Sequence, residues 1–359
     1  MRNRIIPLVI TLCYISCNNN SEYSAIVDTS GNGDYISVQA AVDAAPENRT
    51  SPWSIFIKNG SYKETVHIPH NKPFIHLIGQ DKEKTIIHEK LHVGTLPSPD
   101  SRCFKNDSAA WPFSVHNPQS PVYGMQESVV RVDATDFYAE NISFVNDFGV
   151  DAQTGPQALA IRLNNDRAAF YNCMFRSFQD TWMTSTNDAD RLYAKNCFIE
   201  GAVDYFYGGG DALLDECTFY NVRSNSVIVA PKQSTAKYGY VFRNCIVDGN
   251  SAAADGKQKL GRPWHNAPKA IFINTTMRIP IDPEGWDDMG SVPALFAEYE
   301  SRDINGNLLD LVNRKTFYEG RDGVSGTSRT TITKEEADQM VYENIIAGAD
   351  GWNPRRLIK

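Results

Sequence analysis

The sequence lacks an excess of basic residues. Its 359 residues include 35 lysines and arginines against 43 aspartates and glutamates, which gives a formal net charge of −8. Proteins that bind nucleic acids neutralise phosphates with clustered lysine and arginine, and no such cluster occurs here. We therefore expect no nucleic-acid partner. Because 42% of the residues are hydrophobic, global disorder is also excluded.

A hydrophobic run long enough to span a bilayer, about 20 residues, is also missing. The apolar segment Ile5 to Ile15 follows the basic Met1-Arg-Asn-Arg4 and precedes a polar stretch, as in a secretory signal. Ser16 before Cys17 resembles the cleavage site of a bacterial lipoprotein. We predict that residues 1–17 are a signal peptide, that Cys17 is lipidated, and that the protein is secreted across the bacterial inner membrane. It would reach the periplasm or the outer membrane and cell surface. An ordinary secretory signal with an incidental Cys17 is the alternative.

The seven cysteines lack the spacing of a metal site, since no C-x-x-C pair occurs. Four of them instead occupy one place in a repeated pattern: Cys173, Cys197, Cys217 and Cys245. Each repeat is a short β-rich run, and no helical periodicity lies between the runs. A period of about 20–30 residues is typical of one coil of a parallel β-helix. We expect these cysteines to stack in the core, with disulfides between coils as the poorer alternative.

The flanks of the repeats differ from the repeats themselves. Residues 38–45 read as a short helix before Pro46, and Thr333-Lys-Glu-Glu336 forms a capping box that opens a helix to about Ile346. We predict a short capping helix at each end of the solenoid, which would block edge pairing. Residues 93–126 form a long insertion, and residues 18–359 a single domain that contains it.

Two aspartates occupy equivalent positions in neighbouring repeats. Asp180 follows Asn172 by eight residues, and Asp204 follows Asn196 by eight. Equal offsets place both carboxylates on one face of adjacent coils, which lie about 4.8 Å apart. Two carboxylates that close do not easily both ionise, so one acts as a charged nucleophile or base and the other as a neutral acid. The structural alternative is that both aspartates cap backbone N–H groups in turns.

Five short motifs in order resemble the signatures of the pectin methylesterase family. They cover most of the chain from about residue 28 to residue 352. The motifs are Gly60-Ser-Tyr62-Lys-Glu64, Gln157-Ala-Leu159, Gln179-Asp180-Thr-Trp182, Asp204-Tyr-Phe-Tyr207-Gly208 and Leu260-Gly-Arg262-Pro-Trp264. The resemblance implies a right-handed parallel β-helix and a carbohydrate esterase that acts on methylesterified homogalacturonan (pectin) without a metal or organic cofactor.

The resemblance also implies a role for each matching residue. Asp204 would be the nucleophile and Asp180 the acid/base, while Arg262 would orient Asp204. Gln157 and Gln179 would stabilise the oxyanion. Trp264 would line the sugar-binding cleft, and Tyr207, where the family usually has Phe, would be a cleft aromatic or a packing residue. Local positive charge is expected near Arg262 from Lys257, Lys259 and Lys269.

Three other functions remain open for this sequence. A hydrolase or lyase that cleaves polygalacturonate would keep the fold, but an inverting hydrolase needs carboxylates about 6.5–9.5 Å apart. A same-fold esterase or thioesterase with another substrate is allowed by the insertion and by Trp182-Met183, which replace the family's usual Leu-Tyr. A non-catalytic carbohydrate-binding protein would not need all five proposed catalytic residues.

Overall fold

The computed structural model describes residues 22–95 and 128–358. Over these residues the chain winds through three parallel sheets in turn, and each coil in the middle of the stack gives one strand to each sheet. This confirms the predicted all-β right-handed parallel β-helix. The predicted signal peptide, including Cys17, lies outside the described residues, as does the predicted insertion beyond Thr95.

The strands, numbered in chain order, divide among the sheets by position in the coil. Sheet A contains β1 (Ala25–Val27), β2 (Trp53–Ile57), β5 (Ile75–Gly79), β8 (Phe137–Glu140), β11 (Ala168–Tyr171), β14 (Arg191–Lys195), β17 (Asp211–Asp215), β20 (Tyr240–Arg243), β23 (Lys269–Ile273) and β25 (Leu295–Tyr299). Sheet B contains β3 (Gly60–Lys63), β6 (Thr85–Glu89), β9 (Ser143–Asn146), β12 (Met174–Arg176), β15 (Phe198–Gly201), β18 (Thr218–Asn221), β21 (Ile246–Gly249), β24 (Thr276–Met277) and β26 (Arg302–Asp303).

The third parallel sheet, called sheet C, contains residues of the Gln157, Gln179, Asp204 and Leu260 motifs or lies directly beside them. It contains β4 (Val66–Ile68), β7 (Ser128–Val132), β10 (Leu159–Leu163), β13 (Trp182–Met183), β16 (Val203–Gly208), β19 (Val227–Pro231) and β22 (Lys259–Gly261). A small antiparallel hairpin, β27 (Phe317–Glu319) with β28 (Ser325–Thr327), follows the coils. Its Tyr318 is fully buried in the same core as the coils.

A ladder of left-handed residues explains the repeated Asn. The residue that turns the chain from sheet A to sheet B has φ between 51° and 57° in successive coils: Asn141, Asn172, Asn196, Glu216, Asn244 and Asn274. Asparagine tolerates this conformation better than most residues because its short amide bonds locally. The Asn172 amide donates to Asn141 (2.6 Å), and the Asn196 amide donates to Asn172 (3.1 Å). The repeat is therefore a turn signal, repeated once per coil.

The residue after each turn points into the core. Cys173, Cys197, Cys217 and Cys245 are at most 2% exposed, and all four are free thiols. The Cys173 Sγ donates to the Ala139 carbonyl (3.5 Å), and the Cys197 amide donates to the Cys217 Sγ (3.4 Å). The predicted stack of small buried cysteines is confirmed.

Aromatic side chains fill the middle of the solenoid. Trp182 is fully buried, with its ring 3.9 Å from that of Phe175 and 4.9 Å from that of Phe170. On the next coil, the Phe206 ring lies 5.4 Å from Trp182. Burying such rings contributes a large share of the hydrophobic stabilisation. Trp182 is consequently a core residue, and its neighbour Met183 faces the outside of sheet C.

The N-terminal helix α1 (Val38–Ala44) covers the first coils, and the first motif holds it there. Glu64 accepts hydrogen bonds from the backbone N–H groups of Val38 (2.8 Å) and Gln39 (2.9 Å), which are unsatisfied at a helix start. The Tyr62 hydroxyl is buried and donates to the Lys58 carbonyl (2.8 Å). Tyr62 and Glu64 thus stabilise the N-terminal cap, and the predicted helix is confirmed.

Three other short helices lie along the sides of the solenoid. Helix α2 (Asp147–Ala152) follows β9, and α3 (Lys334–Gln339) and α4 (Tyr342–Ile345) come near the C-terminus. Short 3₁₀ turns occur at Ser251–Ala253, Arg321–Gly323 and Pro354–Leu357. Within residues 22–95 and 128–358, no helix combines the length and apolar character that crossing a membrane requires.

The C-terminal helices correct one part of the fold prediction. The capping box is present, since Thr333 and Glu336 bond each other's backbone N–H, but the helix stops at Gln339 and restarts at Tyr342. Their apolar side chains pack on the outer face of sheet A, against Tyr193 among others. They cover this side of the solenoid because the outward residues of sheet A are apolar there. The β27–β28 hairpin, and not these helices, covers the last coil.

The Asn ladder makes a prediction about stability. Asn172→Ala should lower the free energy of unfolding by about 2 kcal/mol, because it loses both ladder hydrogen bonds and keeps a strained left-handed turn. Asn172→Gly loses the bonds but relieves the strain, so it should cost about half as much. Urea unfolding of the two variants checks this, and a larger loss for the glycine variant would contradict it.

Candidate active site

The two aspartates meet at the turn between sheets B and C. Trp182 pairs with Phe206 and Gln179 bridges Val203, so Asp180 and Asp204 occupy the same position in adjacent coils. Both adopt the left-handed conformation, with φ of 62° and 49°. The Asp180 backbone N–H donates to the Val203 carbonyl (3.0 Å). The in-register stacking therefore places both carboxyl groups side by side, as the equal offsets predict.

Arg262 reaches Asp204 from the coil two steps further on. Its Nε lies 2.8 Å from Asp204 Oδ1 and its Nη2 lies 2.7 Å from Oδ2, which is a bidentate pair. The Arg262 backbone N–H donates to the Val229 carbonyl (3.0 Å), which fixes the start of the side chain. The Asp204 side chain is 9% exposed and that of Arg262 is 25% exposed. Asp204 is thus held rigidly, with both oxygens in contact with the guanidinium.

The environment separates the protonation states of the two carboxyl groups. Burial, followed by the negative charge of Asp204, raises the pKa of Asp180 well above its usual range. Burial also raises the pKa of Asp204, but the hydrogen bonds and charge of Arg262 oppose that rise. The two groups share one electrostatic environment, and the guanidinium favours the charge on Asp204. These effects favour the charge on Asp204 and the proton on Asp180.

The two glutamines border the aspartates. Gln179 immediately precedes Asp180, and a Cβ on Gly155 would lie only 2.9 Å from the Gln179 side-chain oxygen. The absence of a side chain at Gly155 therefore leaves room for this amide. The Ala158 N–H donates to the Gln179 carbonyl (3.0 Å), which sets Gln157 beside it. The Gln157 side chain is half-buried, and within the described ranges it makes no hydrogen bond.

Trp264 and Tyr207 form an aromatic wall beside the carboxyl pair, but they differ in exposure. Their ring centroids lie 5.7 Å apart in an edge-on arrangement. Trp264 is half-buried, and the Lys232 ammonium lies 5.7 Å from its ring. Tyr207 is only 2% exposed and packs against Leu159. Trp264 can present a face to a sugar, whereas the Tyr207 ring is buried, and this burial favours the packing alternative over the cleft-aromatic interpretation.

The positive charge near the site comes from other residues than the three predicted lysines. Lys259 contacts Asp282 (2.9 Å), and Lys257 and Lys269 bond groups away from the aspartates. These lysines are close to Arg262 in the sequence, but their side chains bond to other partners. A further cation near the pair is Arg223, whose charge opposes the rise in the pKa of Asp204.

Two arginines near the site lie in none of the five sequence motifs. Arg223 lies over the Phe178 ring (5.7 Å) and is half-buried. Arg162 lies on the outward face of sheet C in register with Met183. A period-two pattern with arginine at an outward position was the only hint for Arg162. Within residues 22–95 and 128–358, no group of three or more His, Cys, Asp or Glu side chains could hold a metal ion.

The raised pKa of Asp180 predicts a stability change. An acid whose pKa is raised on folding destabilises the protein once the pH exceeds its unfolded pKa, by about 1.4 kcal/mol for each pKa unit. Asp180→Asn should therefore unfold at higher urea concentration than the unmodified protein at pH 7, and the difference should shrink as the pH falls toward 4. The exposed Asp322→Asn serves as control. A gain that is equal at both pH values would contradict the assignment.

Known proteins are similar to this chain in sequence and in fold. The family model described as Pectinesterase matches residues 24–105 and 115–319. Pectinesterase 31 of Arabidopsis thaliana is 34% identical over 283 residues, which cover 76% of this chain and 80% of that protein. A pectinesterase of Petunia integrifolia is 30% identical over 320 residues, covering 85% and 77%.

A solved structure gives the same fold. Pectin methylesterase from carrot superposes with a TM-score of 0.73 over 94% of this chain and 97% of that chain, at 23% identity. The structural likeness supports the β-helix, and the sequence matches support the kinship that the five motifs indicate. On these grounds the chain belongs to the pectinesterase family, a family of carboxylic ester hydrolases.

Proposed function

We propose that this protein is a pectinesterase that hydrolyses the C6 methyl esters of galacturonate in methylesterified homogalacturonan, giving pectate and methanol. The observation that carries the proposal is the pairing of Asp180 with Asp204, in which Arg262 makes two hydrogen bonds to one carboxylate while burial and that neighbouring charge raise the pKa of the other. A nucleophile and an acid side by side are what ester cleavage needs.

Asp204 is the proposed nucleophile. Its carboxylate oxygen attacks the ester carbonyl, and the tetrahedral intermediate carries a negative charge on the former carbonyl oxygen. The amides of Gln157 and Gln179 border the aspartates and would donate to that oxygen. One well-placed donor of this kind typically contributes about 3–4 kcal/mol to transition-state stabilisation. Arg262 orients the nucleophile because its two hydrogen bonds fix the plane of the carboxylate.

Asp180 is the proposed acid and then the base. When the tetrahedral intermediate collapses, the methoxide oxygen takes the Asp180 proton and leaves as methanol. The products of this half are an anhydride between Asp204 and the galacturonate, and an ionised Asp180. Asp180 then takes a proton from water, and the resulting hydroxide attacks the galacturonyl carbonyl. Asp204 leaves as a carboxylate, so the enzyme is restored without any cofactor.

Trp264 is the proposed sugar-binding residue of the cleft. Its half-buried ring follows Arg262 by two residues and lies 5.7 Å from the Tyr207 ring. Lys232 adds positive charge beside this ring, and Arg223 adds positive charge near Asp204. Local cations matter here despite the net charge of −8, because the product gains one carboxylate at each turnover.

The esterase proposal predicts which products form. Incubation with highly methylated pectin should release methanol and raise the titratable carboxyl content, while reducing ends and unsaturated ends stay constant. Shortened or unsaturated chains would instead indicate a hydrolase or lyase. No methanol from pectin, together with hydrolysis of another ester or thioester, would indicate the same-fold alternative, and binding without any product would indicate a carbohydrate-binding protein.

The nucleophile assignment predicts the effect of one substitution. Asp204→Asn should reduce methanol release by at least about 10⁴-fold, since it removes the attacking oxygen charge and the bidentate partner of Arg262. Circular dichroism should show an unchanged fold, and Asp322→Asn should keep the full rate. An Asp204→Asn enzyme that retains most of its rate would refute the assignment.

We also propose that Cys17 is lipidated after signal cleavage, so that the enzyme is secreted in a bacterium and anchored at a membrane surface. The support is the sequence alone, with a basic start, an apolar segment and Ser16 before Cys17. Palmitate labelling in a bacterial host should mark the unmodified chain and leave Cys17→Ala unlabelled. An unlabelled chain that is exported in soluble form would favour the ordinary secretory signal.

A further inference from the structure

The Tyr207 hydroxyl is a buried polar group that the proposed mechanism leaves unused. Its oxygen is shielded from solvent and has no hydrogen-bond partner of normal geometry among the described residues. The ring packs against the apolar side chains of Leu159, Met183 and Ala230, which offer no acceptor. A buried unpaired hydroxyl is costly, so its position calls for a partner in some state of the protein.

The acceptor that faces this hydroxyl is Asp180. Met183 pairs with Tyr207 across sheet C, and Asp180 precedes Met183 by three residues on the same coil. The two groups also influence each other electrostatically: the Tyr207 hydroxyl lowers the pKa of Asp180, and the Asp180 charge raises the pKa of Tyr207. The Tyr240 hydroxyl, which also faces Tyr207, is already bonded to Thr184 (2.7 Å).

A second charged side chain, Arg162, lies on the same outward face of sheet C as Tyr207. Arg162 and Tyr207 flank Met183 on the outward face of sheet C, in one row across three neighbouring strands. The Arg162 Nε is buried and also lacks a partner among the described residues. Its charge acts on Tyr207, and the other charged groups that face it among the described residues are Arg131, Asp133 and Lys232. Arg131 and Asp133 are bonded to each other, so they leave Arg162 available.

The unpaired Tyr207 hydroxyl matches one particular protonation state of Asp180. While Asp180 is protonated, it already carries a donor of its own. Once it has given its proton away, it becomes an acceptor with two free oxygens, and hydrogen bonds to such an anion are shorter and stronger than neutral ones. Under the proposed esterase reaction, this anion exists only between the departure of methanol and the attack of water.

We propose that Tyr207 is a positioning residue that donates its hydroxyl to ionised Asp180, with the positive charge of Arg162 behind the phenol oxygen. The contact holds the base still for the incoming water. The charged and titratable groups facing Asp180 are then Asp204, Arg262 and Tyr207, and the first two are committed to each other. The kinetic consequence rests on the proposed esterase function, whereas the contact between Tyr207 and Asp180 does not.

The kinetic test is the pH dependence of Tyr207→Phe. Without the donor, ionised Asp180 is less stable, so its pKa rises further. Acylation needs protonated Asp180, and the alkaline limb of kcat/KM should therefore move upward by about one pH unit. A burst of methanol before the steady state should grow, because attack by water becomes slower than acylation. An alkaline limb that stays in place or moves down overturns the proposal.

A direct test does not need catalysis. Carbon-13 labelling of aspartate carboxyl groups, with Asp180→Asn to assign the signal, gives the Asp180 titration in the unmodified protein and in Tyr207→Phe. A higher pKa in Tyr207→Phe supports the contact, and an unchanged or lower pKa refutes it. If the unmodified protein releases no methanol from pectin, the proposed function fails while this titration still decides the contact.

Two further variants separate positioning from packing. Tyr240→Phe removes a buried hydroxyl of the same kind that is bonded to Thr184, so it should lower stability without moving the Asp180 titration. Arg162→Gln should raise the Asp180 pKa even with Tyr207 in place, and Arg162→Lys should restore part of the difference. Equal shifts in Tyr240→Phe and Tyr207→Phe would show a general packing effect and overturn the proposal, as would an Arg162→Gln titration like that of the unmodified protein.

Discussion

The bidentate contact between Arg262 and Asp204 is the interaction on which the chemistry of this site depends. Two aspartates in adjacent coils would otherwise compete for protons on nearly equal terms. The guanidinium breaks that symmetry, because its two hydrogen bonds favour the charge on Asp204. The remaining carboxyl, on Asp180, then experiences both burial and a neighbouring negative charge, and it retains its proton.

That contact is only possible because the coils stack in register. Arg262 comes from a coil two steps beyond Asp204, and its backbone N–H is fixed by the Val229 carbonyl. A slip of one residue in sheet C would turn Arg262 to the other face of the strand. The features that prevent such a slip are spread along the solenoid, in the Asn ladder, the cysteine stack and rings such as Trp182. Parts of the chain far from the site therefore contribute to its geometry.

The sequence was informative wherever a feature repeats once per coil. The equal offsets of Asp180 and Asp204 and the four stacked cysteines were predictable, because parallel in-register strands convert equal spacing into spatial adjacency. Features that depend on packing across the sheet were not. These features are the burial of Tyr207, the partner of Lys259 and the position of α3 and α4 on sheet A. They depend on which outward faces of the sheets are apolar, and neither local spacing nor a motif indicates which faces those are. Arg162 and Arg223 lie in no recognised motif and become noticeable only through their neighbours.

The central claim is that two aspartates in equivalent turns hold opposite protonation states. Neutron diffraction from deuterated crystals at neutral pD would locate the exchangeable deuterons directly. We expect a deuteron on the Asp180 carboxyl, none on Asp204, and a fully deuterated Arg262 guanidinium with two contacts to Asp204. A deuteron on Asp204, or none on either carboxyl, would contradict it.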